Sequence, residues 1–369
     1  MSRRLAPVAA AFVCFGMFWG TWAVAAIDVE RFLRVSHAGL GALLALAAVA
    51  AVATNAVGGP VAERWGTRLA LAGFLTVWAT LALGLALLHQ RWAFSLVFVA
   101  FVAAGGGVDV VMNVSATAAL GTRPGRLLRF HALFNAGAVA GAALTGALLH
   151  AGISWRAVWA GIAVAAWSIA ALCLISDLPA GGSGERHPLL RSAAAVREAG
   201  LLVLATAFAG AALVEGGIDT WGVLFLRSRL AAGILVGAGA YVVGQSLATV
   251  ARTSLSRPAE AVGGARGATI GAALAGAGLA LEAAAPSAAL GAAGLALAAI
   301  GISTCWPLLL AEAGRGSDRP GVIVGGVTAA GYVGFVAGPP VVGWIAGAWG
   351  FGAAVLSRRP TGAPAPVSG

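Results

Sequence analysis

The chain has 369 residues, 60% of them apolar and only 10% charged, with a formal net charge of +10. Soluble domains carry about 25% charged residues, so this composition excludes an ordinary soluble protein. The positive charge is wholly arginine and falls in short polar breaks, which reads as membrane topology rather than a nucleic-acid patch.

A hydrocarbon core about 30 Å thick needs roughly 20 apolar residues of helix. Transmembrane β-strands would instead alternate in short segments, whereas the apolar runs here are continuous. The expected spans are 6–27, 37–59, 68–88, 92–119, 129–150 and 156–176, then 199–226, 231–254, 266–284, 287–311 and 321–347. The expected fold class is therefore an all-α polytopic membrane protein. Arg3-Arg4, an apolar run and Ala23-Val24-Ala25 have the look of a cleavable leader. That segment has its own counterpart later in the chain, so it reads as the first span.

The polar stretch 177–198, with Gly181-Gly182-Ser183-Gly184 and Glu185-Arg186-His187-Pro188, reads as a cytoplasmic linker. It divides a six-helix half, 1–176, from a second half, 199–350, with five spans. A twelfth span would begin near Gly352, but the apolar run Phe351 to Leu356 is too short to cross a bilayer. Residues 351–369 therefore read as a short tail, with the twelfth helix truncated or missing. The two sets repeat each other. Thr21-Trp22 aligns with Thr220-Trp221 at an offset of 199, Gly66 and Arg68 with Gly264 and Arg266 at 198, and Gly141 and Gly146 with Gly338 and Gly343 at 197. A near-constant offset predicts two halves related by a pseudo-two-fold axis.

Placing the amino terminus in the cytoplasm puts fifteen arginines on that side, among them Arg3, Arg4, Arg64, Arg68, Arg123 and Arg126. Six lie opposite: Arg31, Arg34, Arg91, Arg156, Arg227 and Arg229. This is the usual inside-positive bias. Cys14, Cys173 and Cys305 are scattered through the spans without metal or disulfide spacing, and neither a phosphate-binding loop nor a nucleophile–base set is visible. No cofactor, metal or enzymatic role is expected.

Polar residues at membrane depth are costly and mark candidate sites. Asp109 and Asn113 in the fourth span are four apart and share a helix face, after the glycines Gly105-Gly106-Gly107. His131 and Asn135 repeat the spacing in the fifth span, and Glu215 and Asp219 in the seventh. Three such stripes suit a wet, inward-facing cavity. Asp109 and Glu215 are the candidates for trading a proton, and His131 is a partner because imidazole titrates at about 6.5. Trp22 and Trp221, at repeat-related positions, could stack on a sugar-like or aromatic solute.

The stretch Gly59-Pro60-Val61-Ala62-Glu63-Arg64-Trp65-Gly66-Thr67-Arg68, with its G-x-x-x-E-R-x-G-x-R spacing, resembles the loop between the second and third helices of major facilitator superfamily transporters. Gly107 to Asn113, Phe130 to Gly137, and Glu215-Gly216 with Trp221 resemble a branch of uncharacterised bacterial inner-membrane members. The resemblance covers about residues 5 to 350. It implies the major facilitator fold, with gating roles for Gly59, Glu63, Arg64, Gly66 and Arg68; an acid in the fourth span, here Asp109, is similar to some proton-coupled sugar carriers. The arginine that many members carry in the fourth span and the Gly-Pro of drug antiporters in the fifth are missing. The expected function is secondary active transport of a small solute by alternating access, coupled to protons, by a monomer in the bacterial inner membrane. The alternative is a non-transporting sensor or an inactive, truncated relic.

Overall fold

The computed structural model describes residues 5–120, 124–178, 194, 196–254, 262–314 and 320–349. Ten helices carry these residues: α1 (Ala6–Leu33), α2 (His37–Leu87), α3 (Arg91–Leu120), α4 (Pro124–His150), α5 (Trp155–Ile175), α6 (Leu202–Arg229), α7 (Ile234–Ser254), α8 (Gly264–Ala284), α9 (Ala288–Gly314) and α10 (Pro320–Trp349). Ten stretches among the described residues are long and apolar enough to cross a membrane. The expected linker lies largely outside the described residues, and the expected tail wholly so.

Each expected span is helical. Between the second and third, however, the chain differs from the expected loop. Helix continues through Pro60 to Trp65, and the only non-helical residue inside α2 is Gly66, at φ 79° and ψ 153°. A side chain is strained in that conformation, so glycine is what lets α2 double back within one residue. Its two legs, 37–65 and 67–87, are two spans. Elsewhere, short polar caps turn the chain. Arg34 adopts the left-handed conformation after α1, and Ser36 accepts a hydrogen bond from the Gly39 amide to start α2. Ser154 likewise caps α5 through the Arg156 amide.

Lipid offers little hydrophobic drive between helices, so close association rests on small residues that let backbones touch. A methyl group at Gly20 would overlap the Ala138 carbonyl; at Gly137, that of Val13; at Gly141, that of Met17. These contacts weld α1 to α4. The same three recur between α6 and α10, where Gly216 meets Phe335, Gly334 meets Ala209 and Gly338 meets Leu213. Partners on α1 and α6 differ by 196 positions, and those on α4 and α10 by 197. The internal repeat is thus a repeat of packing as well as of letters.

That register corrects two of the sequence alignments. The counterpart of Gly66 is Gly263, at φ 92° and ψ 142° just before α8, rather than Gly264. The pairing of Trp22 with Trp221 does not hold either: at an offset of 196 they answer to Ile218 and Ala25. A local match of two letters lost to the register set by backbone contact.

Two further close approaches through glycine join the N-terminal helices α1–α5 to the C-terminal helices α6–α10. Gly41 of α2 lies against Gly343 of α10, and Gly146 of α4 against Ala238 of α7. The four positions interchange at the constant offset of 197, as rotation about a two-fold axis between the halves requires. Both contacts lie toward the end of the molecule where α1 hands over to α2, the Arg34 end. The opposite end carries the Gly66 hinge.

Candidate functional site

Asp109 is positioned by the glycines that precede it on α3. Gly105 packs on Phe15 of α1 and Trp78 of α2, while Gly106 lies against the backbone of Ala51. Asp109 follows these by four and three residues and so continues the same side of the helix, between α1 and the first leg of α2. It is half-buried. Its Oδ1 accepts a hydrogen bond of 3.0 Å from Asn113 Nδ2, which also lies 2.9 Å from the Asp109 carbonyl. Asn113 therefore holds the carboxylate in place.

Glu215 and Asp219 are brought into a second, larger cluster. Gln245 of α7 donates from Nε2 to Asp219 Oδ1 at 2.7 Å. Tyr241 lies one turn before Gln245 on the same face of α7, near both Asp219 and Glu215. Glu215 also acts on Cys305 of α9. Tyr241 is only 4% exposed and packs with Ala23 and Val24 of α1, Ala138 and Ala142 of α4, and Val223 and Ala238. The polar cluster thus ends in an apolar seam between the two sets of helices.

Sequence reading missed Tyr241 and Gln245, although the signal was present. They are four apart in an otherwise apolar span, the same spacing that singled out the three pairs above. It also treated the charges at the Arg34 end as loop residues, and here the structure builds a clasp. Arg227 at the end of α6 donates to Asp28 of α1 at 2.8 and 3.3 Å and to the Val24 carbonyl at 2.7 Å. Beside it Glu30 pairs with His37 at 2.6 Å, and the His37 ring stands edge-on to Trp221 with centroids 5.9 Å apart.

The remaining sequence candidates are placed as follows. Asn135 is half-buried on α4; eleven residues before Gly146, it falls on the same stripe that faces α7, about 16 Å nearer the Gly66 end. The side chain of His131 lies outside the described residues. Trp22 is 1% exposed and packed against Phe98 and Trp159. Trp221 is 2% exposed and donates to the Pro339 carbonyl at 2.9 Å. Both rings are spent on packing between helices and offer no open face to a solute in this conformation. Glu63, Arg64 and Arg68 are exposed around the Gly66 hinge. Gly59 has nothing near its missing side chain, whereas its neighbour Gly58 is the one pressed against Val110 and Gly107 of α3. Close approach at that level therefore belongs to Gly58.

The two acid sites are not brought together. Gly107 lies on Phe74 just as Thr304 lies at Gly271, so α3 and α9 also correspond at 197. Asp109 then answers to Trp306, whose ring meets Phe208 at 4.6 Å. Glu215 is seven residues beyond Phe208, so the two acids differ by about 10 Å in depth, with Asp109 nearer the Gly66 end. At 196, Glu215 answers to Trp19. Each acid thus has a tryptophan at the symmetry-related position of the other half, and the acids themselves are not duplicated.

A sequence profile of the Major Facilitator Superfamily matches residues 8–339. An uncharacterised MFS-type transporter of Yersinia pestis is 26% identical over 345 residues, 91% of this chain and 87% of that protein. Membrane protein MosC of Rhizobium meliloti is 28% identical over 362 residues, 96% of this chain and 87% of that one. Among solved structures, a point mutant of the nucleoside transporter NupG superposes with a TM-score of 0.76, covering 96% of each chain at 14% identity. That last likeness is one of fold.

Proposed function

This chain belongs to the Major Facilitator Superfamily, and from that premise we infer that it is a secondary active transporter moving a small solute by alternating access, driven by protons. The observation that supports this most is the seam. Two glycine-mediated contacts, interchanged by the pseudo-two-fold, close the molecule at the Arg34 end, and the acids lie farther in. Two rigid halves touching through small residues can rock about such a seam at little cost, because few side chains must repack.

The arginine bias puts the Gly66 end in the cytoplasm, so the seam is the outward gate and the conformation faces inward. On this reading residues 1–176 and 199–350 are the rocking bodies, joined by the linker 177–198, in the inner membrane of a bacterium. Asp109, held by Asn113, takes up a proton from the cytoplasmic side, and Glu215 with Asp219 does so nearer the outward gate. Asn135 lines the widening passage between α4 and α7. Glu63, Arg64 and Arg68 form the inner gate at the Gly66 hinge. The solute lies between the two acid sites.

The test is direct. In proteoliposomes containing a pH-sensitive dye, a transported solute collapses an imposed proton gradient. Asp109→Asn should abolish that flux while leaving expression and membrane insertion as in the wild type. Undiminished proton-driven flux in the variant would remove Asp109 from the coupling mechanism.

A further inference from the structure

Three features at the Arg34 end are physically continuous. Asp219 is held by the Gln245 amide. Gln245 and Tyr241 are four residues apart and share one face of α7. Tyr241 packs in the same apolar cluster as Val24, and the Val24 carbonyl is one of the three acceptors gripped by Arg227 in its clasp with Asp28. From Asp219 to the clasp, the steps run through one hydrogen bond, one turn of α7 and one apolar cluster. Coupling between distant sites requires such a chain joined to an element with two arrangements; the rocking seam is that element.

The chain exists on one side only. At the register set by packing, the counterparts of Glu215, Asp219, Tyr241 and Gln245 are Trp19, Ala23, Leu44 and Ala48, and those of Arg227 and Asp28 are Arg31 and Leu224. Fold symmetry therefore does not call for these residues. Polar groups buried in an apolar helix pair are costly, and both members of the Tyr241–Gln245 pair sit where the other half keeps hydrocarbon.

We propose that Gln245 and Tyr241 are positioning residues that tie the acid pair Glu215–Asp219 to the outward gate. An ionised Asp219 accepts the Gln245 N–H, which fixes Tyr241 in the seam and leaves the Arg227–Asp28 clasp shut. A protonated Asp219 carries a donor as well as acceptors, the Gln245 amide loses its charge-assisted bond, and Tyr241 is freed to leave the cluster. No other atom changes hands; one proton moves onto one carboxylate. The charged and titratable groups around the relay are Glu215 on α6 itself, Tyr241 on α7, Cys305 on α9, Asp28 and Glu30 on α1, His37 on α2 and Arg227 at the end of α6. Of the described residues of α4 and α10 packed against these helices, none in the seam is charged.

The proposal rests on the transporter reading above, and its test needs no cargo. Spin labels placed at Val35, which is 39% exposed, and Ser228, also exposed, span the gate at the Arg34 end; the native cysteines are buried. The full chain in lipid nanodiscs is measured by electron–electron distance spectroscopy between about pH 5 and pH 9. Wild type should show two distances, with the longer one gaining population on acidification. Gln245→Leu and Tyr241→Phe should keep both distances but shift the midpoint by at least about one pH unit, and Asp219→Asn should remove the pH dependence. Tyr241→Phe keeps the ring in the seam, so a folding defect does not cloud the result. Unchanged midpoints in Gln245→Leu and Tyr241→Phe overturn the relay and leave the transporter standing. A single, pH-independent distance in the wild type overturns both.

Discussion

Two glycines seven residues apart show how much depends on where a missing side chain points. Gly66 sits at positive φ, in a region where other residues are held at a cost of about 1–3 kcal/mol. Gly59 is helical, with open space where a Cβ would go, and glycine in a helix interior is worse than alanine by about 0.5–1 kcal/mol. Gly66→Ala should therefore lower the thermal midpoint of the detergent-solubilised protein, while Gly59→Ala should leave it unchanged or raise it. Equal effects would contradict the hinge. The resemblance read from the sequence gave both glycines the same gating role, because a motif names residue types and says nothing of φ. The acids rest on a different signal: a carboxyl in hydrocarbon is expensive wherever it points. The tryptophans carry no such signal, since indoles suit packing and cargo equally.

At the level of single helices, Arg156 carries an unusual task. Its Nη1 donates to the carbonyls of Leu85, Ala86 and Leu88 at 2.9, 3.1 and 2.6 Å, closing the end of α2, whose last carbonyls have no helical partner. The guanidinium lies 4.5 Å from the Phe32 ring and 4.6 Å from that of Trp155. The cation also meets the negative end of the helix dipole. Arg156→Lys should recover little of the stability lost in Arg156→Ala, because an ammonium cannot stack flat on Phe32 and Trp155. Removing the cap should cost about 2 kcal/mol, read as a drop in the thermal midpoint. Near-complete rescue by lysine would mean that charge alone matters. In the sequence Arg156 counts as one outward-side arginine among six; its role as a cap depends on α5 beginning beside the place where α2 ends.

Over the whole molecule, the two-fold makes a prediction about pairs. Cysteines at Gly41 and Gly343, or at Gly146 and Ala238, occupy contacts that the symmetry interchanges. On the transporter reading proposed above, both pairs should cross-link on oxidation, and each cross-link should stop solute flux until reduced. Cross-linking at one pair but not the other would show that the seam does not close as a symmetric unit. The span limits, the doubled architecture and the presence of ionisable groups at depth were legible in the sequence, because hydropathy, length and charge are properties of each segment alone. The Gly66–Gly263 register, the separation of Asp109 from Glu215, the Tyr241–Gln245 link and the Arg227 clasp were decided only in the folded molecule. They depend on how far each helix is rotated and slid against its neighbours, and that is set by which small residues allow backbones to touch.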